Sequence, residues 1–179
     1  MMQTKNRLWW LVGLTAVVAL GVMVQLWAAS QWAGNFDSDE AIFSLMARHI
    51  LSGAPPPVYM YGNSYLGAGE SWLAAWLVGS FSFIEPTVFG LRLGNVMLFA
   101  LFLMIHGWLV HYLWKWEIAL VSLLLSAVPG ALVLWWLYRP IGAFGLLLVC
   151  GTAALALSLP KIENTFLNYV RVFAVGVLL

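Results

Sequence analysis

Three carboxylates fall within four residues at Asp37-Ser38-Asp39-Glu40, just beyond a long apolar run. A carboxylate there could take a proton from an acceptor hydroxyl or amine. The adjacent pair Asp39 and Glu40 could also hold a divalent cation against a phosphate. Arg48, Arg92 and Arg139 are the guanidiniums whose geometry suits that phosphate. Each group also has a plainer reading. Asp37 followed by Glu40 has the spacing of a helix cap, with Asp37 as N-cap and Glu40 three residues on. Arg48 and Arg139 could be interfacial anchors whose heads reach for water. Glu70 stands in a largely apolar stretch, where an ionisable group is costly and often functional; the alternative is that it faces water in a loop.

The elements that must position these groups follow from composition. The chain is 63% hydrophobic and 8% charged, whereas a soluble globular domain carries roughly 25% charged residues. So few charges cannot cover a water-facing surface, and the solvent must be largely lipid. Long continuous apolar runs then require helices, because every backbone polar group in lipid must be satisfied internally. The expected fold is all-α: a polytopic transmembrane helix bundle forming one membrane domain over residues 1–179. Spans are expected at Leu8–Ala29, Val88–Tyr112, Ile118–Leu137 and Ile141–Leu159, with a fifth opening at Phe166 and stopping incomplete at Leu179. Net charge is +1, which gives no electrostatic case for nucleic acid, and the lone Cys150 excludes a disulfide framework.

Residues 31–87 read as the first extracytoplasmic loop, with surface helices. Ile42, Leu45, Met46, His49 and Ile50 recur at helical spacing in a short interfacial helix over Asp39–Ser52, which Gly53 and Pro55-Pro56-Pro57 stop. Tyr61-Gly62-Asn63-Ser64-Tyr65 has the content of a tight loop. Gly67–Phe83 is either a surface or re-entrant helix or a further span. In the first case Lys5, Arg7, Lys115, Lys161 and Arg171 lie on the cytoplasmic side, against Arg48, Arg92 and Arg139 outside; in the second the division is even. Trp9, Trp10, Trp27, Trp32, Trp108, Trp114, Trp116, Trp135 and Trp136 sit near the ends of the runs, as an interfacial belt requires.

The ordered series Asp37-Ser-Asp-Glu-Ala41, Met46-Ala47, Ile50-Leu51, Gly53, Tyr61-Gly-Asn-Ser-Tyr65, Gly67, Glu70, Leu73-Ala-Ala75 and Leu91-Arg92-Leu93 resembles the N-terminal part of bacterial GT-C membrane glycosyltransferases. The closest group is the one related to protein mannosyltransferases and the aminoarabinose transferase of lipid A. The likeness implies an active site on the outer face of the inner (plasma) membrane and a polyprenyl-phosphate-linked sugar as donor, while the positive-inside rule sets Lys5 and Arg7, and with them the N-terminus, on the cytoplasmic side. The likeness also implies that Asp39 is the catalytic base or a metal-associated carboxylate, with Glu40 beside it and Asp37 in support. Arg92, Glu70, Tyr61, Tyr65 and Arg139 become candidates for substrate binding. No cofactor is fixed by the likeness; a divalent cation is one that Asp39 and Glu40 could hold. Members of this family are far longer, so the chain is expected to be an N-terminal portion or a short form. The alternative function is a non-catalytic subunit of a larger membrane complex, with other membrane subunits as partners.

Overall fold

The computed structural model describes residues 4–31, 37–142, 144–159 and 165–178. Trp32 of the aromatic belt and Lys161 of the charge count lie outside the described residues. Eight helices follow in order: α1 Thr4–Gln31, α2 Ser38–Leu51, α3 Gly69–Ser80, α4 Val88–Leu113, α5 Trp116–Ala127, α6 Ala131–Leu137, α7 Phe144–Ser158 and α8 Thr165–Leu178. Among the described residues the only β pairing is an isolated bridge between Tyr59 and Gly67.

Length separates these helices. With a rise of about 1.5 Å per residue, the 26-residue α4 runs about 39 Å, beyond the ~30 Å hydrocarbon core. Among the described residues, α4 and α1 are the two helices long and apolar enough to cross a membrane, or three spans if α5 and α6 are counted as one. Of the five runs expected as spans, α1 and α4 carry the first two. The run Ile118–Leu137 is not a straight span: it breaks between α5 and α6 with a bend of 79°. Pro129 supplies no backbone N–H and its ring clashes with the preceding turn, so the helix cannot continue through it. The last two runs form α7, of 15 residues and short of a full crossing on its own, and α8, Thr165–Leu178. Gly67–Phe83 contains only the 12-residue α3, about 18 Å long, which cannot cross as a straight helix.

The long helices α1 and α4 run antiparallel. Near the start of α1, Trp10 packs with Val110 and Ala119, and its ring centroid lies 4.6 Å from that of His111. Near the end of α1, Ala29 reaches Arg92 in the first turns of α4. Between these ends, Phe99, Leu103, Leu123, Ala127 and Leu137 form a core against the middle of α1. Trp10, read as part of the belt, is buried in this packing; Trp9, Trp27 and Trp108 are exposed. On the other side, α3 seats Ala74, Ala75 and Val78 against Leu91 of α4 and Ala47 of α2. Leu125, Leu132 and Phe173 are each more than 70% exposed, which suits lipid rather than water.

Small residues permit the close approach of α1, α4 and α5, the usual device where lipid removes the hydrophobic drive for helix pairing. A Cβ on Gly21 would lie 2.6 Å from Leu103, 3.2 Å from Ala127 and 3.3 Å from Phe99. A larger side chain there must displace the Leu103 side chain and press on Ala127 and Phe99, crowding three helices. Gly21→Val is expected to lower stability by about 1–3 kcal/mol through overpacking, read as an earlier midpoint in thermal unfolding in detergent.

Candidate functional site

The acidic segment lies where α2 begins. Asp37 is its N-cap: the backbone is extended there, and Oδ1 accepts the Glu40 amide at 3.0 Å. This is the first half of the capping arrangement expected from the spacing. The second half does not form, because the Glu40 side chain turns inward.

Glu40 is 1% exposed and lies between two buried arginines. Its Oε1 accepts Arg92 Nε at 2.5 Å, and its Oε2 accepts Arg92 Nη2 at 3.0 Å and Arg139 Nε at 2.8 Å. Arg92 Nη1 also donates to the Ala29 carbonyl at 3.0 Å, placing a cation on the last turn of α1, where the helix dipole is negative. Arg139 Nη1 lies 3.2 Å from Asp37 Oδ2. Each guanidinium also covers an aromatic face: Arg92 lies 5.0 Å from the Tyr138 ring centre and Arg139 lies 4.3 Å from that of Trp135. Asn95 donates from Nδ2 to the Arg139 carbonyl at 2.7 Å and fixes the backbone that delivers it.

Taking an ion out of water costs several kcal/mol even after relaxation, so a lone buried Glu40 would not be tolerated. The cluster offsets that cost with charge balance, two carboxylates against two guanidiniums, and with three charge-assisted hydrogen bonds on Glu40 alone. It also joins distant sequence. One carboxylate connects the ends of α1 and α6 to the starts of α2 and α4.

Asp39 is in a different position. It is exposed in the first turn of α2, and no hydrogen bond or ion pair among the described residues engages its side chain. Two neighbouring carboxylates therefore divide their work: Glu40 holds helices together, and Asp39 is free to meet a solute. A cavity of about 330 Å³ lies between α2 and α4, lined by Ala41, Ser44, Leu45, Arg48 and Val88. It runs along the side of α2 below Asp37, whose side chain is 40% exposed. At 3.6 residues per turn, Asp39 projects from the other side of that helix.

The remaining expected residues are placed as follows. Arg92 and Arg139, read as candidates for substrate phosphate, are 0% and 2% exposed and face Glu40, not solvent. For Arg139 this also replaces the reading as an interfacial anchor. Arg48 is exposed and donates to the Pro86 carbonyl at 2.9 Å. Glu70 does not face water: it is 1% exposed, and its Oε1 accepts the Gly145 amide at 3.2 Å in the first turn of α7. It caps that helix from α3, a role with the right sign for a helix N-terminus. Tyr61 bonds His49 at 3.2 Å, near the far end of α2, about 15 Å along the helix from Asp39. Tyr65 is 79% exposed in the same loop, which turns at Gly62 with φ +76°. The structure thus joins Asp37, Glu40, Arg92 and Arg139, and leaves Glu70 and Tyr61 in separate contacts.

The donor set does not fit a divalent cation. Both Glu40 oxygens already accept guanidinium N–H groups. Among the described residues no group of three His, Cys, Asp or Glu gathers for a metal. Sequence reasoning missed Asn95, Tyr138 and the cation–π role of Trp135. The available signal was the run Trp135-Trp136-Leu137-Tyr138-Arg139, which sets two aromatic faces beside an arginine. No protein-family model, curated protein or solved structure matches this chain.

The cluster sets a graded series of stabilities. Glu40→Ala strands two buried guanidiniums and is expected to cost about 3–5 kcal/mol. Asp37→Ala removes both a cap and the ion pair to Arg139, and is expected to cost more than the ~1 kcal/mol of a cap alone but less than Glu40→Ala. Asp39→Ala is expected to leave stability unchanged. Thermal unfolding of the three variants in one detergent checks the order.

Proposed function

We propose that this chain is a GT-C-type membrane glycosyltransferase or the N-terminal portion of one. It transfers a sugar from a polyprenyl-phosphate donor to an acceptor at the outer face of the inner (plasma) membrane. The observation that carries this reading is the unequal fate of Asp39 and Glu40. The motif that resembles the family's acidic pair has one carboxylate spent on structure and one left exposed.

In this reading Asp39 accepts the proton of the acceptor hydroxyl or amine as that atom attacks the anomeric carbon. The bond from that carbon to the donor phosphate oxygen breaks, the phosphate leaves with the electron pair, and the configuration inverts. Glu40, Arg92 and Arg139 act as positioning residues that fix the first turn of α2. Asp37 supports the same turn and is the second candidate for contact with substrate. No step is assigned to a metal ion.

Orientation follows from charge. Arg7 precedes the apolar run of α1 and Lys115 follows α4, and antiparallel packing brings those two ends together. The carboxylate cluster lies at the opposite end, beside Ala29. By the positive-inside rule the first end is cytoplasmic and the cluster is external. The exposed Trp72 and Trp76 of α3 then lie at headgroup level, where indoles are favoured.

Transfer from a radiolabelled polyprenyl-phosphate sugar by membranes carrying the whole protein tests the proposal. Asp39→Asn is expected to abolish transfer with an unchanged unfolding midpoint. Asp37→Asn is expected to retain part of it. Full transfer by Asp39→Asn would remove the catalytic assignment and favour a non-catalytic membrane subunit.

A further inference from the structure

Below the ion pairs the protein buries amide groups that it does not satisfy. Gln25 of α1 is 0% exposed, and among the described residues neither its Nε2 nor its Oε1 has a hydrogen-bond partner. Asn95 of α4 is 1% exposed; its Nδ2 is used on the Arg139 carbonyl, and its Oδ1 has no partner among those residues. The great majority of buried side-chain polar atoms have a partner, protein or water, and leaving one without costs about 1–3 kcal/mol.

The helix register puts these atoms in one layer. Ala29 meets Arg92, and Gly21 meets Phe99 and Leu103. Gln25 lies four residues from both Gly21 and Ala29. Asn95 lies three residues beyond Arg92 and four before Phe99. In an antiparallel pair both amides therefore fall between the same two contacts, one turn below the Glu40 cluster. Tyr138 adjoins this layer, being next in the chain to Arg139, whose carbonyl Asn95 holds, and it packs with Ala28 and Leu134.

We propose that Gln25 and Asn95 form a buried hydration site that holds ordered water between α1 and α4. The hydrogen-bond count suits water. The layer offers a donor at Gln25 Nε2 and acceptors at Gln25 Oε1 and Asn95 Oδ1. Two waters linked to each other can accept from the first and donate to the other two, in keeping with the roughly three bonds that a buried water makes. An apolar ligand satisfies none of these atoms. The consequence is a polar layer inside the apolar bundle. The Glu40 ion pairs then rest on hydrated amides instead of dry hydrocarbon, which lowers the cost of their burial. The inference is independent of the glycosyltransferase reading.

Radiolytic hydroxyl footprinting of the full chain in lipid nanodiscs tests it, because radicals formed from a bound water mark the side chains beside it. Tyr138 and Phe99 border the layer at 0% and 2% exposed, and Phe43, at 1%, is a buried aromatic control in another cluster. The expected result is modification of Tyr138 and Phe99 well above that of Phe43, falling to the Phe43 level in the Gln25→Leu/Asn95→Leu double variant. Modification of Tyr138 and Phe99 no greater than that of Phe43 in the native protein would overturn the proposal. So would signals that persist in the double variant. Should that variant fail to fold, the native comparison with Phe43 decides alone.

Discussion

The constraint on which this structure depends is the burial of one carboxylate. Glu40 is drawn into the protein, and no charge can remain there without partners. Arg92 and Arg139 must therefore arrive from positions 52 and 99 residues away. Their arrival fixes the docking of α4 and the end of α6 against the start of α2. A surface pair of the same residue types would contribute a kcal/mol at most. Burial makes this cluster costly to assemble and more costly to break, so it specifies which helix ends meet.

That requirement has a functional consequence. The Asp-Glu pair is a tempting two-carboxylate site because its members are adjacent in sequence. Successive helical residues point about 100° apart, however, so the pair cannot face the same way. One carboxylate goes inward and the other remains outward. The rigidity that Glu40 supplies reaches the turn carrying Asp39, which lets an exposed group hold a defined position. The proposed hydrated layer at Gln25 and Asn95 extends the same polar region inward and relieves its isolation.

Much of this organisation was legible in the sequence. The helical class and the two helices long enough to cross a membrane follow from long, continuous apolar runs. The Asp37 cap follows from its spacing to Glu40, and the end of α2 follows from Gly53 and the prolines. The bend at Pro129 was visible as a break, but its size of 79° was not, because a proline in the sequence marks where a helix stops and not the angle at which the next one leaves. The fates of Arg92 and Arg139 were not legible. A guanidinium facing a substrate and one facing a distant glutamate have the same local sequence, and only the tertiary fold distinguishes them. Glu70 was hidden for the same reason, since its partner is a backbone amide 75 residues away.

The most direct test of this division is carboxylate labelling of the native protein in lipid, with a water-soluble carbodiimide and an amine, followed by peptide mapping. Asp39 is exposed and should be modified, and Glu40, held by two guanidiniums in the interior, should stay unmodified until the protein unfolds. Equal modification of Glu40 and Asp39 in the folded protein would contradict the account, because Glu40 could not then be the buried anchor that leaves Asp39 free.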